Sequence, residues 1–222
     1  MNEPIPPAGA EYPVNLRVQP ATDDRNRLTT AFRIILAIPH LILVGGPAAL
    51  GFTWMGTSGG DGRNEGSSSG GLLGLVAAVT AFISWFAILF TGRHPEGLWK
   101  LCAFYLRWRT RAIAYTSLLR DEYPPFGDGV YPVELELEPP TAPRDRVTVA
   151  FRLILAIPHI LALIILGIAW ALAGIVAWFS ILFTGDFPRA LYRFSTGVMQ
   201  WNLRVEAYLL LLRDEYPPFS LE

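Results

Sequence analysis

Two pairs of ionisable residues stand inside the most apolar parts of the sequence and are the first candidates for chemistry. Arg33 is followed by His40, and Arg152 is followed by His159, at the same seven-residue spacing. Seven residues make about two helical turns, so each Arg shares a helix face with its His. Ionisable side chains within a membrane segment indicate function. The two pairs are therefore candidates for lining a polar path.

A structural interpretation of the same four residues is also open, and we favour it. Each Arg lies near the predicted cytoplasmic end of its helix, from where the side chain can snorkel to the lipid headgroups. Each His follows a proline, and its ring can bond a carbonyl that the proline kink frees. In this interpretation the four residues stabilise the fold and do no chemistry.

No other residues form a pattern typical of catalysis. His94-Pro-Glu96 occurs once and lacks a third metal ligand. The single Cys102 excludes an internal disulfide and a multi-cysteine zinc site. The sequence also contains no glycine-rich nucleotide motif and no Ser-His-Asp order. We therefore predict no catalytic residue, no metal site and no cofactor, and we expect a protein that is not an enzyme.

The composition indicates a membrane protein. Of 222 residues, 52% are hydrophobic and 17% are charged, and the mean hydropathy is +0.35. An ordinary soluble domain has about 25% charged residues. The net charge of −1 excludes a globally basic surface, so we expect no nucleic-acid partner. Residues 72–91 and 153–185 contain no Asp, Glu, Lys or Arg, which is typical of membrane helices.

Four motifs occur twice, which predicts two tandem copies of one unit. The motifs Tyr-Pro-Val and Ala-Phe-Arg recur 119 residues later, whereas Trp-Phe-X-Ile-Leu-Phe-Thr-Gly and Arg-Asp-Glu-Tyr-Pro-Pro-Phe recur 93 residues later. The first copy therefore contains an insertion, at about residues 45–70, where the sequence becomes rich in Gly and Ser. Such a flexible composition is tolerated at a loop in water.

These motifs resemble those of the bacterial membrane proteins catalogued as domain of unknown function 4389. The resemblance rests on the Tyr-Pro-Val strand, Phe-Arg-Ile-Ile-Leu-Ala-Ile-Pro-His, Trp-Phe-X-Ile-Leu-Phe-Thr-Gly and Arg-Asp-Glu-Tyr-Pro-Pro-Phe, and it covers nearly the whole chain as two copies. It implies a membrane protein, and it supplies neither an activity nor catalytic residues.

Each copy is predicted to contain a short β-strand, a two-helix transmembrane hairpin and a cytoplasmic amphipathic helix, which makes an all-α membrane protein. Residues 1–11 are expected to be a flexible N-terminus. The first copy, 12–126, comprises a strand at 12–19, membrane helices at 27–50 and 72–91 around a Gly/Ser loop at 51–71, and an amphipathic helix at 95–120. The second copy, 131–219, comprises a strand at 131–138, membrane helices at 146–165 and 167–184 joined by a tight turn near Gly167, and an amphipathic helix at 188–213.

The amphipathic helices combine basic and aromatic residues, which suit lipid headgroups or a partner protein. The candidates are Trp99, Lys100, Arg107, Trp108, Arg111, Arg193, Trp201 and Arg204. Two placements are open: the aromatic face lies on the membrane surface, or it packs on the helix of the other copy. The acidic residues that follow each helix are expected to be exposed and to pair with Arg120 or Arg213.

Basic residues predict the orientation in the membrane. If both hairpins enter and leave from one side, every Lys and Arg except Arg63 lies on that side, which the positive-inside rule makes cytoplasmic. We therefore predict a multi-pass protein of the bacterial inner membrane with both termini in the cytoplasm. A pseudo-two-fold axis would run along the membrane normal, and the two strands would pair across it.

Three functions remain open at this point. We favour a non-enzymatic structural or accessory protein that binds membrane lipids or a partner, as a homo-oligomer or in a larger membrane complex. The alternative is a small oligomeric channel or transporter that uses the pairs Arg33/His40 and Arg152/His159. A membrane enzyme that acts on lipids is the third.

Overall fold

The computed structural model describes residues 12–47, 71–140 and 144–221. In these ranges the elements are β1 (Val14–Val18), α1 (Arg27–Val44), α2 (Gly71–Thr91), α3 (Glu96–Thr116), β2 (Val133–Leu137), α4 (Arg146–Ala150), α5 (Arg152–Thr184) and α6 (Arg189–Leu209). The mostly helical class is confirmed. The expected flexible N-terminus at 1–11 lies outside the described residues, as does the Gly/Ser loop at 51–71 apart from Gly71.

Helices α1, α2 and α5 are long and apolar enough to cross a membrane. At most a third of the residues in their most apolar windows are buried inside the protein. Their exposed side chains are mainly Ile, Leu, Val and Phe, among them Ile34, Phe90 and Ile165. Because water solvates such a surface poorly, the fold is consistent with a membrane protein.

The second copy differs from the helical hairpin that the sequence suggests. Helix α5 is continuous over 33 residues, so the two separate helices at 146–165 and 167–184 and the turn near Gly167 are wrong. A single glycine inside a helix costs only about 1 kcal/mol, and no other turn-forming residue stands beside Gly167. At about 1.5 Å per residue, α5 is about 50 Å long.

In the first copy, α2 begins where α1 ends. A Cβ atom built on Gly71 would lie 2.6 Å from the carbonyl carbon of Leu43, so the first residue of α2 rests directly on the last turn of α1. Gly71 has a φ of +66°, which favours glycine because it has no Cβ. Helices α1 and α2 together have as many residues as the segment from Arg146 to Thr184.

The far ends of these helices show that α1 and α2 do not fold back on each other. Near the end of α5, Trp178 donates a hydrogen bond to the carbonyl of Thr30 in α1. Near the end of α2, Trp85 donates to the carbonyl of Val149 in α4. Val149 and Trp178 stand about 40 Å apart along the helix. The start of α1 and the end of α2 therefore lie at opposite ends of α5, and the hairpin predicted for the first copy is also wrong.

The strands β1 and β2 form an antiparallel ribbon, as expected from the sequence. Leu16 pairs with Leu135, its counterpart 119 residues later, at the centre of the register. Arg17 forms an ion pair of 3.1 Å with Glu136 on the exposed face. On the other face, residues such as Val14 and Val133 are buried against the helices. Both strands are shorter than the predicted ranges 12–19 and 131–138.

Helices α3 and α6 form the middle layer of the protein. Helix α3 packs on α1 and α2, α6 packs on α5, and the ribbon lies on both, with β2 against α3 and β1 against α6. This layer holds more of the buried apolar residues of the described chain than either neighbouring layer, including Leu106, Ile113 and Leu203. The order of layers is therefore long apolar helices, α3 with α6, and then the charged ribbon.

Candidate functional site

Arg33 is buried inside the protein instead of reaching toward headgroups. Its side chain is 2% exposed and forms an ion pair with Asp121. The guanidinium also donates to the carbonyl oxygens of Tyr115, at 3.0 Å, and of Arg120. It lies 4.7 Å from the centroid of the Tyr115 ring, within the range of a cation–π contact. The snorkelling interpretation is therefore wrong for Arg33.

Arg152 makes the corresponding contacts in the second copy. It pairs with Asp214 at 2.5 Å and donates to the carbonyl oxygens of Tyr208, at 3.1 Å, and Arg213, at 3.0 Å. The Tyr208 ring centroid lies 4.3 Å from the guanidinium carbon. Because the planar guanidinium presents five donors in a fixed fork, it bonds the end of α6 and the following segment at the same time.

Each of these arginines shares its carboxylate with a second arginine. Arg25 and the backbone N–H of Asn26 also bind Asp121, with Arg25 at 2.8 and 2.9 Å. Burial alone would raise the pKa of Asp121, but these hydrogen bonds outweigh it and lower the pKa to about 2. In the second copy, Arg144 pairs with Asp214 at 3.1 Å.

We call Arg25, Arg33 and Asp121 the first arginine cluster, and Arg144, Arg152 and Asp214 the second arginine cluster. The expectation of exposed acids holds only for the next residue in each copy. Glu122 and Glu215 pair with Arg120 and Arg213 as expected. Both aspartates are instead largely buried against the arginines of these clusters.

His40 and His159 are bound by aromatic residues. Trp108 donates from its indole Nε1 to Nδ1 of His40 at 3.1 Å, and the imidazole stacks on Phe126 with the ring centroids 4.5 Å apart. Trp201 and Phe219 do the same for His159, at 3.1 and 3.9 Å. The hydrogen bond that each Nδ1 makes is thus to an indole, and not to a carbonyl freed by the proline kink.

The repeated motif Arg-Asp-Glu-Tyr-Pro-Pro-Phe connects both kinds of site. Its Asp binds the buried arginine, and its Tyr and Phe cover the histidine seven residues further along the helix. Its two prolines cannot continue a helix, and the segment lies beside α1 or α5 without regular secondary structure. The structure therefore brings each predicted Arg and His together with the motif of the same copy. We call these two sets the clasps: Arg33, His40 and residues 120–126 in the first copy, and Arg152, His159 and residues 213–219 in the second.

The aromatic face of the amphipathic helices lies inside the protein. Trp108, Trp201 and Arg204 are buried, so the prediction that they contact lipid is wrong. Trp99 donates its indole N–H to the carbonyl of Leu212 at the end of α6. The aromatic faces pack mainly on the long helices, α3 on α1 and α2 and α6 on α5. The alternative that they pack on the helix of the other copy therefore holds only in part, for contacts such as that of Trp99.

The remaining candidates on these helices lie on the polar side. Lys100 is exposed and pairs with Glu96 one turn earlier, and Arg193 is exposed on α6. Arg107 is partly exposed, and Arg111 donates to the carbonyl of Gly127 at 2.7 Å. An open groove of about 1490 Å³ runs between β1 and α6, and Arg193 and Arg204 are among the residues that line it.

Metal binding finds no support among the described residues. No three His, Cys, Asp or Glu side chains in these ranges stand close enough together to hold an ion. His94 is largely buried, and burial together with the nearby positive charges of the second arginine cluster lowers the pKa of its imidazole to about 4. The side chain is therefore neutral at pH 7.

The comparison with protein families agrees with the sequence motifs. A family model for Domain of unknown function (DUF4389) matches residues 70–127 and 146–220. The chain belongs to this family. The two matched segments are consistent with two DUF4389 copies in one chain. No curated protein and no solved structure matches this sequence.

Sequence reasoning missed a buried ion pair between the two DUF4389 copies. Arg109 of α3 and Glu206 of α6 are fully buried, and Nε of Arg109 lies 2.9 Å from Oε1 of Glu206. Arg109 also donates to the carbonyl of Val44 at the end of α1, at 2.8 Å. The 93-residue offset relates Arg109 to Asn202 and Glu206 to Ile113. The repeat therefore carries no second ion pair of this kind.

A signal for the Asp partners was present in the motifs of the DUF4389 copies. Each copy places an arginine in an apolar helix and an Arg-Asp-Glu motif after its last helix. A buried arginine requires an acid, and this motif is the acidic one that repeats with it. No comparable signal marks Arg109 and Glu206, which occur in one copy each.

Proposed function

We propose that this DUF4389 protein is a non-enzymatic structural or accessory membrane protein that binds lipids and, on its polar side, a partner. The exposed apolar surface of α1, α2 and α5 carries this proposal. Phe90 and Phe183 are 78% and 76% exposed, and many Ile, Leu and Val residues share this surface. Contiguous apolar patches of this kind are rare on soluble monomers and mark interaction with membranes or proteins.

The bonding of the four candidate residues supports a structural role over the channel. Arg33 and Arg152 are each 2% exposed, and His40 and His159 are fully buried. Residues that line an ion path contact water. These four side chains are buried instead: the terminal guanidinium nitrogens bind carboxylates and carbonyls, and Nδ1 of each imidazole binds an indole. A channel would require both clasps to open.

We place the protein in the bacterial inner membrane with its termini in the cytoplasm, where anionic lipids attract basic residues. Support comes from the two ends of the described chain, which lie together on the polar side. The Tyr12 hydroxyl donates to the carbonyl of Glu215, and Leu221 lies against Gly197 of α6. The shared contacts of the two copies support a pseudo-two-fold axis through the pair Leu16 and Leu135. A homo-oligomer or a larger complex would use the polar side for its contacts.

The experiment compares lipid retention and ion flux in the same preparation. The purified protein is examined by native mass spectrometry for bound lipid, and proteoliposomes are examined for ion flux. We expect bound lipid and a flux equal to that of empty liposomes. An ion flux that the double variant Arg33→Ala/Arg152→Ala removes, and that the exposed control Arg193→Ala keeps, would overturn the proposal in favour of a channel. Loss of all lipid on purification would overturn the lipid-binding part.

A further inference from the structure

An arginine cluster lies at each end of the layer formed by the long helices α1, α2 and α5. The first arginine cluster lies at the start of α1, and the end of α5 is beside it, because the backbone N–H of Arg25 donates to the carbonyl of Gly185. The second arginine cluster lies at the start of α5, beside the end of α2. If α5 crossed the bilayer, one cluster would lie on each side. Such an arrangement lacks the excess of basic residues on one side that is typical of spanning proteins.

Helix α6 runs from one cluster to the other. At one end, Tyr208 contacts Arg152 of the second cluster. At the other end, the Tyr192 hydroxyl donates to the carbonyl of Leu119, next to the Leu118 carbonyl that binds Arg25 of the first cluster. The middle of α6 is therefore level with the middle of the long helices.

The charged ribbon lies at this middle level. Gln200, halfway along α6, accepts from the backbone N–H of Leu16 at 2.6 Å and donates to the carbonyl of Val14. Arg17 and Glu134 project from the outer face of the ribbon and are exposed. In a spanning orientation these charges would stand at the centre of the bilayer, where ionised side chains are strongly disfavoured.

The opposite face of the protein is apolar along its whole length. Ile154, Ile165 and Phe183, near the start, middle and end of α5, are all highly exposed. Exposed arginines stand at both ends of this face, at Arg27 and Arg146. The helix is about 50 Å long, which is much more than the roughly 30 Å thickness of the hydrocarbon core.

The segments that cover the histidines add exposed aromatic residues beside the long helices. Tyr123 and Phe126 flank α1, and Tyr216 and Phe219 flank α5, each about half exposed. Tyrosine and other amphipathic aromatic side chains concentrate at the level of the headgroups. The protein thus presents an apolar face, with aromatic and basic residues at its border and the charged ribbon opposite.

From this arrangement we infer that α1, α2 and α5 lie in the plane of the membrane, embedded in one anionic leaflet, with the ribbon in water. The inference rests on the proposed function, because it assigns the lipid contact to this face. It makes the protein monotopic and replaces the spanning orientation that helix length and composition alone allow. The pseudo-two-fold axis then runs along the membrane normal, with both arginine clusters on the same side of the leaflet.

The test measures the depth of three positions on α5. Single variants Ile154→Cys, Ile165→Cys and Phe183→Cys receive a fluorescent thiol label in vesicles of phosphatidylethanolamine and phosphatidylglycerol, with Glu134→Cys as the aqueous control. Lipids brominated either near the headgroup or near the chain end quench the labels by depth. The buried Cys102 of the unsubstituted protein reports background labelling.

An in-plane helix gives equal quenching at the three positions, within about twofold, and no quenching at Glu134→Cys. A spanning helix gives several-fold stronger quenching of Ile165→Cys by the chain-end lipid than of the other two positions, which would overturn this inference and leave the proposed function standing. An absence of quenching at all three positions would overturn both. If that absence accompanies a dimer in native mass spectrometry, the face is covered by a second copy of the chain.

A second measurement uses a membrane-impermeant thiol reagent on vesicles of one orientation. The exposed end positions are changed separately in the variants Arg27→Cys and Arg146→Cys. We expect both to react from the same side as Glu134→Cys. Reaction from opposite sides would establish a spanning orientation.

Discussion

Replacing Arg33 or Arg152 by lysine tests whether the fold needs the guanidinium or only its charge. A lysine ammonium is a point charge with three donors and lacks the planar fork. At position 33 it can approach Asp121 or the carbonyls at the end of α3, whereas arginine binds all of them together. Snorkelling would leave Arg→Lys silent, because both side chains reach the headgroups. The observed contacts instead predict a clear loss of stability.

The magnitude follows from the bonds that are lost. A hydrogen bond to a charged group contributes about 1.5–3 kcal/mol, and a desolvated cation–π contact contributes about 2 kcal/mol. Lysine at position 33 retains the ion pair with Asp121 and loses at least one carbonyl bond together with part of the contact to the Tyr115 ring. We expect the free energy of unfolding to fall by about 2–4 kcal/mol. For a protein of this size the midpoint of thermal unfolding falls by about 5–15 °C.

The assay is thermal unfolding in detergent micelles, followed by tryptophan fluorescence. The matched control is Arg193→Lys, because Arg193 is exposed on α6. Arg33→Lys and Arg152→Lys should each lower the midpoint by similar amounts, since the two arginines have the same set of partners. If Arg33→Lys and Arg193→Lys unfold at the same temperature, the clasp does not stabilise the fold and the reasoning is refuted.

Three further outcomes are expected. Glu206→Ala leaves Arg109 buried without its carboxylate and should cost about 3–5 kcal/mol, whereas Arg109→Met combined with Glu206→Leu should recover most of that loss in a double-mutant cycle of unfolding midpoints. Deletion of residues 45–70 joins α1 to α2, which together have the length of the segment from Arg146 to Thr184, and should give a folded protein with a cooperative thermal unfolding transition; an unfolded product would contradict the end-to-end arrangement. Because its folded pKa is depressed to about 2, Asp121 contributes stability above about pH 4, and this contribution, about 1–2 kcal/mol after solvent screening, disappears as the pH falls toward 2. Asp121→Asn should remove that part of the pH dependence of the free energy of unfolding. If the variant and the unsubstituted protein show the same pH dependence, Asp121 does not make this contribution.

Local patterns in the sequence predicted the elements well. The motif offsets placed the insertion between α1 and α2, and the alternation in both strands predicted the ribbon with Arg17 opposite the glutamates. The periodicity of apolar residues and the local composition are properties of neighbouring residues, so both can be determined from a single sequence. The exception is Gly167, where two helices of spanning length were expected. Membrane thickness suggested that division, but a helix lying in the plane is not limited by thickness.

Contacts between distant residues were the less predictable part. Arg33 and Asp121 are separated by 88 residues, and Arg152 and Asp214 by 62. No periodicity links residues so far apart. The repetition of the arginine together with the Arg-Asp-Glu motif narrows the choice of acid, but charge alone does not distinguish the Asp from the Glu beside it. The burial of Trp108 and Trp201 was also not decided by pattern, because the same aromatic face suits lipid and another helix equally.

The pairing of β1 with β2 joins strands that are far apart in the chain, and this affects how the protein folds during translation. When β1 leaves the ribosome, its partner β2 has not yet been translated, and the residue opposite Leu16 is 119 positions away. At about 5–20 residues per second, that delay is about 6–24 s. During this time the nascent chain displays an unpaired strand edge and the apolar helices α1 and α2. Helix α3 of the same copy is translated before β2 and can cover one side of α1 and α2. The membrane surface is available to their other side, so the first copy can reach the lipid before the second copy exists.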